Sequence, residues 1–162
     1  MRARDMMMPL KEYLSPGSSL REAADLLRTA QRGEEQRGVK ALPVLDGEGH
    51  LVGILSIGDI LKAVYPSYLY LMDLGEFTWD GMVETFAAKA ANKRVEDLMT
   101  RNVITVNEHS TLMECVDHML KHNVKRVPVL NAAHAVVGML YEKDVFCEIT
   151  KALSDIGSEE TR

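Results

Sequence analysis

Hydroxyl and carboxylate side chains recur three residues apart along this sequence, a spacing that can close a helix end or hold a ligand. Ser56 and Asp59 follow one apolar run; Tyr141 and Asp144 follow another. A small hydroxyl with an acid three residues on is a helix N-cap with a charge favourable to the helix dipole, and it needs no ligand. Glu114, His118 and His122 fall at i, i+4 spacing, which could hold a divalent ion. They lie off the main apolar stripe, where a solvated helix face accounts for them, so no metal is expected. Cys115 and Cys147 are too few for a disulfide framework, which suits a reducing cytoplasm, and at helical core spacing they read as small buried hydrophobes. The sequence contains no nucleophile elbow, P-loop or dinucleotide glycine fingerprint, so no catalytic residue is expected.

The elements that must position these side chains have their own signals. Ser19 with Glu22, and Thr111 with Glu114, have capping-box spacing. Leu20, Ala23, Ala24 and Leu27 then recur at helical spacing, as do Leu112, Cys115, Val116 and Met119. Two strand signals follow each helix: 41–45 with 51–55, and 126–130 with 135–140. The polar turns DGEG (46–49) and NAAH (131–134) separate them. Helices are predicted from about 57 to 64 and from 142 to 153, and short extended stretches near 13–14 and 103–106 precede each set. The order is strand, helix, strand, strand, helix, twice, an α/β (α+β) class.

The two sets are copies. RARDMMM (2–8) resembles RVEDLMT (94–100), and at the same spacing SSLREAADLL (18–27) lies over STLMECVDHM (110–119) without a gap. VKALPVLDGEGHLVGILSIGDI (39–60) then lies over VKRVPVLNAAHAVVGMLYEKDV (124–145). The extra residues of the first copy fall within TAQRGEEQRG, which reads as a lengthened surface loop. Residues 1–66 and 94–155 are thus the two motifs, and 156–162 a flexible tail. The 67–93 linker holds Tyr68, Tyr70, Phe77 and Trp79, enough apolar surface to pack, and a helix over 81–91 with Met82, Val83, Phe86 and Ala90 on one face.

Composition bounds the partners. The chain has 162 residues, 46% hydrophobic and 27% charged, with 24 acidic against 19 basic residues and a net charge of −5. That balance argues against disorder and against a broadly basic nucleic-acid face. No apolar run reaches the roughly 20 residues needed to span a bilayer, and MRARDMMMPL lacks a signal-peptide core, so a cytoplasmic location with no membrane contact is expected.

Each copy closely resembles a cystathionine-beta-synthase (CBS) motif, and the pair resembles a tandem CBS, or Bateman, module. The resemblance rests on the RxxDxM start, on LPVLDGEGHLVGILSIGDIL, and on VPVLNAAHAVVGMLYEKDVF. It implies two motifs related by a pseudo-two-fold axis, with clefts between them that bind an adenosyl ligand such as AMP, ADP, ATP or S-adenosylmethionine. It also implies a regulatory role, no required cofactor and a homodimer.

The resemblance also assigns roles. Gly53, Ser56 and Asp59 take the family's glycine, hydroxyl and ribose-carboxylate positions, and Gly138, Tyr141 and Asp144 take them in the second copy. Lys125 and Arg126, before Val127 and Pro128, match a position where basic residues meet phosphate. Lys40 is the counterpart of Lys125, whereas Ala41 stands opposite Arg126. Ile104, Thr105 and Val106 match the adenine-side strand, with Tyr13 and Leu14 as counterparts. Thr100 has Met8 as its counterpart. Tyr141 and Met8 depart from the pattern, which makes the two sites unequal and motivates the alternative of a ligand-free dimerisation or docking module.

Overall fold

The structure is a computed structural model that describes residues 1–32, 36–72, 75 and 79–159. In chain order its elements are α1 (Ala3–Met6), β1 (Met8–Pro9), α2 (Leu20–Thr29), β2 (Gln31–Arg32), β3 (Gln36–Arg37), β4 (Ala41–Leu45) and β5 (Leu51–Ser56). There follow α3 (Ile57–Val64), a 3-10 turn (Ser67–Leu71), α4 (Met82–Ala90), α5 (Val95–Leu98), β6 (Val106–Asn107), α6 (Leu112–His122), β7 (Arg126–Leu130), β8 (Val136–Tyr141) and α7 (Glu142–Glu159).

The chain divides into two compact units. Unit 1 comprises Met1–Lys11 with Val103–Arg162, and unit 2 comprises Glu12–Asn102. These boundaries do not follow the sequence repeats, because the opening turn of each repeat is exchanged. The α1 turn of the first repeat joins unit 1, where Arg2 bridges Thr111; the α5 turn of the second joins unit 2, where Arg94 bridges Ser19. The RxxDxM start explains these turns. The Arg2 amide donates to Asp5 Oδ2 (2.8 Å), and the Arg94 amide donates to Asp97 Oδ2 (3.4 Å), closing a one-turn helix in each case.

In unit 1 a four-stranded sheet runs β1-β8-β7-β6. β7 and β8 are antiparallel, with Arg126 opposite Tyr141 and Val129 opposite Gly138. β6 joins β7 in parallel at Val106–Val129, and β1 joins β8 at Met8–Met139. Cys115 and Met119 of α6, Val145 of α7, and Val127, Val129 and Leu140 of the sheet share its core. Unit 2 repeats this order with less pairing: β4 and β5 are antiparallel, while Leu14 and Thr100 join as single bridges to Val44 and Ile54. Its core gathers Leu14, Ala23, Leu27, Leu42, Val44, Leu55, Val95 and Met99.

Local chemistry sets the element ends as the spacing predicts. Ser19 Oγ accepts from the Glu22 amide (3.2 Å) at the start of α2. At the start of α6 the box is reciprocal: the Glu114 amide donates to Thr111 Oγ1 (3.3 Å) and the Thr111 amide to Glu114 Oε2 (2.6 Å). The turn before β5 is closed by Asp46 Oδ1, which accepts from the Glu48 and His50 amides, both at 2.9 Å. Asn131 Oδ1 does the same before β8 for the Ala133 and Ala135 amides, both at 3.0 Å.

Several sequence expectations are corrected. The stretch expected as a surface loop forms a short antiparallel hairpin, β2 with β3, around residues 33–35, which lie outside the described set. Residues 156–159, expected as tail, continue α7, because nothing between Glu142 and Glu159 breaks the helix except a tolerated Gly157. The linker helix forms as α4, but Val83 is 70% exposed, and Tyr68, Tyr70 and Trp79 are also exposed; packing is carried by buried Leu69 and Ala90. Phe77 lies outside the described residues. Cys147 is exposed, not core, since α7 turns Val145 inward and leaves its neighbours Phe146 and Cys147 outward.

Candidate functional site

The conserved spacing of each repeat meets at one place in each unit, where the two central strands end and a helix begins. In unit 2 the Ile57 amide donates to the Lys40 carbonyl (2.9 Å), and in unit 1 the Glu142 amide donates to the Lys125 carbonyl (2.8 Å). This shared bond ties the start of α3 and of α7 to the lysine just before β4 and β7. The family glycine seats the methionine of the exchanged turn. A Cβ on Gly53 would stand 2.5 Å from Met99 Sδ and 3.1 Å from the Thr100 carbonyl. One on Gly138 would stand 2.6 Å from both Met7 Sδ and the Met8 carbonyl oxygen. Neither position has room for a side chain.

Unit 2 gathers Tyr13, Leu14, Lys40, Ser56, Asp59 and Thr100. Ser56 is the N-cap of α3, with its Oγ accepting from the Asp59 amide (3.2 Å). The Asp59 Oδ2 accepts from both the Ser56 amide (2.9 Å) and the Ser56 hydroxyl (3.0 Å), while Oδ1 receives a long contact from Thr100 Oγ1 (3.5 Å). The carboxylate is therefore largely satisfied from within. Leu14 is buried in the core, while Tyr13 and Lys40 are exposed.

Unit 1 gathers Ile104, Thr105, Val106, Lys125, Arg126, Val127, Pro128, Tyr141 and Asp144. Val106, Val127 and Pro128 are buried core residues, Ile104 and Thr105 are half-buried, and Lys125 is exposed. Tyr141 occupies the place of Ser56 and is buried, paired by register with Arg126. Asp144 Oδ2 and Arg126 Nε are both shut off from solvent and have no hydrogen-bond partner. A buried polar atom left unpaired costs about 1–3 kcal/mol, more when charged, so two of opposite charge beside one helix start mark a place that asks for a ligand or water.

The sequence reading missed a third such atom. Glu12 Oε2 in unit 2 is also buried and unpaired. Its signal was present: by repeat spacing Glu12 stands where Ile104 stands, a carboxylate in an otherwise apolar strand position.

The metal spacing on α6 has another occupation. Glu114 is engaged in the capping box, and His118 and His122 stack with ring centroids 6.2 Å apart. Among the described residues no group of three or more His, Cys, Asp or Glu side chains is placed to hold a metal ion. No described helix is long and apolar enough to cross a membrane.

The family model for the CBS domain matches residues 3–66 and 95–151. The chain belongs to the CBS domain family. Its two matches make it a tandem CBS module. A Methanocaldococcus jannaschii protein, MJ1426, is 28% identical over 152 residues, covering 86% of this chain and 89% of its own length. Other curated relatives are much longer: the chain spans 22% of a homoserine O-acetyltransferase from Methanosphaera stadtmanae and 19% of an L-aspartate semialdehyde sulfurtransferase from M. jannaschii. Among solved structures, CBSX2 in complex with AMP matches with a TM-score of 0.65 and 25% identity, over 93% of this chain and 97% of that one. The CBS domain pair of protein MJ0100, in complex with 5′-methylthioadenosine and S-adenosylmethionine, matches with a TM-score of 0.66 and 25% identity, over 94% and 98%. The mixed α/β fold of a CBS pair is thus shared along nearly the whole chain.

Proposed function

We propose that this tandem CBS module is a regulatory sensor that binds an adenosyl ligand at the unit 1 site. One observation carries the assignment of the site: Asp144 Oδ2 and Arg126 Nε are buried without partners where α7 begins. A carboxylate in that position can accept from both hydroxyls of a ribose, and a guanidinium can donate to a phosphate. The half-buried Ile104 and Thr105 offer an apolar side for the base, and Lys125 stands next to Arg126 to add positive charge. The ligands present in the CBSX2 and MJ0100 structures support the ligand class.

The reading also accounts for the departures from the family pattern. Ser56 and Thr100 direct their hydroxyls at Asp59, whereas Tyr141 and Met8 stand at those places in unit 1, where Asp144 Oδ2 is buried without a hydrogen-bond partner. Isothermal titration of the full chain with AMP tests the assignment. Binding that Arg126→Ala weakens at least tenfold supports it; AMP affinity unchanged by that substitution contradicts it.

The module acts on a partner rather than on a substrate in this reading, and it pairs with a second copy of itself. Support comes from α7, where Phe146, Leu153 and Ile156 are all more than 60% exposed along one stripe of an eighteen-residue helix. The expected cytoplasmic location belongs with this reading.

A further inference from the structure

The linker between the two repeats builds a cleft of its own in unit 2. Pro66 follows α3, and Tyr65 before it is extended (φ −82°, ψ 113°), so the helix stops there and the chain turns back through the 3-10 turn. Leu69 of that turn is buried, and Tyr70 returns to Tyr65, edge to face with ring centroids 5.1 Å apart. α4 then lies against α3 and contributes Met82, Val83 and Phe86 to the opposite wall. The cleft so enclosed has a volume of about 520 Å³, which is the size of a small-molecule site.

Its wall is apolar apart from one charged residue, Lys62. Leu61, Tyr70, Trp79 and Val83 all line it, and all are exposed. Large apolar side chains gathered on one concave surface, rather than scattered, mark a place that binds something apolar. The charge around the cleft has one sign. A smaller cleft continues past Val64, Pro66 and Phe86 and adds Lys89 and Lys93, and among the described residues no carboxylate lines either one. Lys89 Nζ stands 5.5 Å from the centre of the Phe86 ring. In a chain of net charge −5, three lysines and no acid around an apolar cleft favour a ligand with an apolar body and a negative end.

We propose that this cleft binds an amphipathic monocarboxylate, with its apolar body among Trp79, Met82 and Phe86 and its carboxylate at Lys62. None of the lining residues is one assigned to the adenosyl ligand, so the proposal stands apart from that reading. A single cation in the wall suits a single acid group, and the apolar wall around it shields the pair from water.

Trp79 is the only tryptophan in the chain, so its fluorescence reports on the cleft directly. Titration of the full chain with dodecanoate, below its micellar range, is expected to shift that emission to the blue and to saturate at one molecule per chain. Lys62→Gln is expected to weaken dodecanoate about fivefold and to leave the weaker binding of 1-dodecanol unchanged. Val83→Glu, at a position the fold leaves open to water, sets a like charge in the wall and is expected to abolish the shift. An emission that dodecanoate does not move, or a response that never saturates at one molecule, overturns the proposal. So does dodecanoate binding that survives Val83→Glu. Dodecanoate affinity that Lys62→Gln leaves unchanged, or lowers no more than it lowers that of dodecanol, contradicts the place given to the carboxylate.

Discussion

Asp59 and Asp144 occupy equivalent positions, yet their surroundings differ in what is offered to them. Ser56 and Thr100 give Asp59 three donors, whereas Asp144 Oδ2 is buried without a partner. The same comparison separates the two thiols. Burial, and the neighbouring Glu114 charge after it, push the Cys115 thiol above its ordinary pKa, while Cys147 is exposed. Near pH 8 a thiol reagent should label one cysteine per native chain and two after denaturation; two in the native chain would contradict the burial of Cys115. The raised Cys115 value contributes stability below the ordinary thiol pKa of 9.0, lost as pH rises through the folded value. At this scale the sequence displayed Tyr141 and Met8 in the places of Ser56 and Thr100, but not the consequence. On sequence they favour a ligand-free module, and only the geometry shows Asp144 Oδ2 buried without a partner. Glu12 was legible in the same way, as a charge opposite Ile104, yet its burial was not.

The elements are held by short polar motifs whose spacing survives translation into structure, because each acts within a few residues. The capping box of α6 forms as its spacing predicts, that of α2 forms by its Ser19 half, Ser56 caps α3, and the turns at Asp46 and Asn131 close as expected. The residue that closes the first turn is charged and its counterpart Asn131 is not, which gives a test. The His50 amide holds the Asp46 carboxyl below the ordinary carboxylate range, so its contribution is present above that range and is lost as pH falls below it. Asp46→Asn should flatten the acid limb of the stability curve in chemical denaturation while leaving neutral-pH stability nearly unchanged; an unaltered acid limb would contradict this. The glycines of β5 and β8 give a second test. Gly138→Ala must displace the Met8 carbonyl as well as Met7, and should cost about 1–3 kcal/mol in denaturant unfolding, with no loss contradicting the packing. What periodicity could not reveal was which repeat each opening turn would join. RxxDxM specifies a one-turn helix and a methionine plug, and either unit's glycine accepts that plug equally well on local grounds.

At the scale of the whole molecule, the exchange of α1 and α5 makes each compact unit a composite of both repeats, so neither repeat contains a complete unit by itself. Expression of residues 1–66 alone should therefore give a chain without cooperative unfolding; a cooperative transition would contradict the exchange. The exposed stripe of α7 belongs to this scale too. Phe146→Glu with Leu153→Glu should convert a light-scattering mass of two chains to one, and a wild type that already measures as one chain would remove the dimer from the account. The central claim concerns the unpaired charges of unit 1, and Asp144→Asn tests it most directly, because it keeps the side-chain shape while weakening the carboxylate's acceptance of ribose hydroxyls. The account predicts that AMP, titrated calorimetrically into the full chain, binds Asp144→Asn at least tenfold more weakly than the wild type and Asp59→Asn nearly as well as the wild type. Equal AMP affinity for Asp144→Asn and the wild type would contradict it.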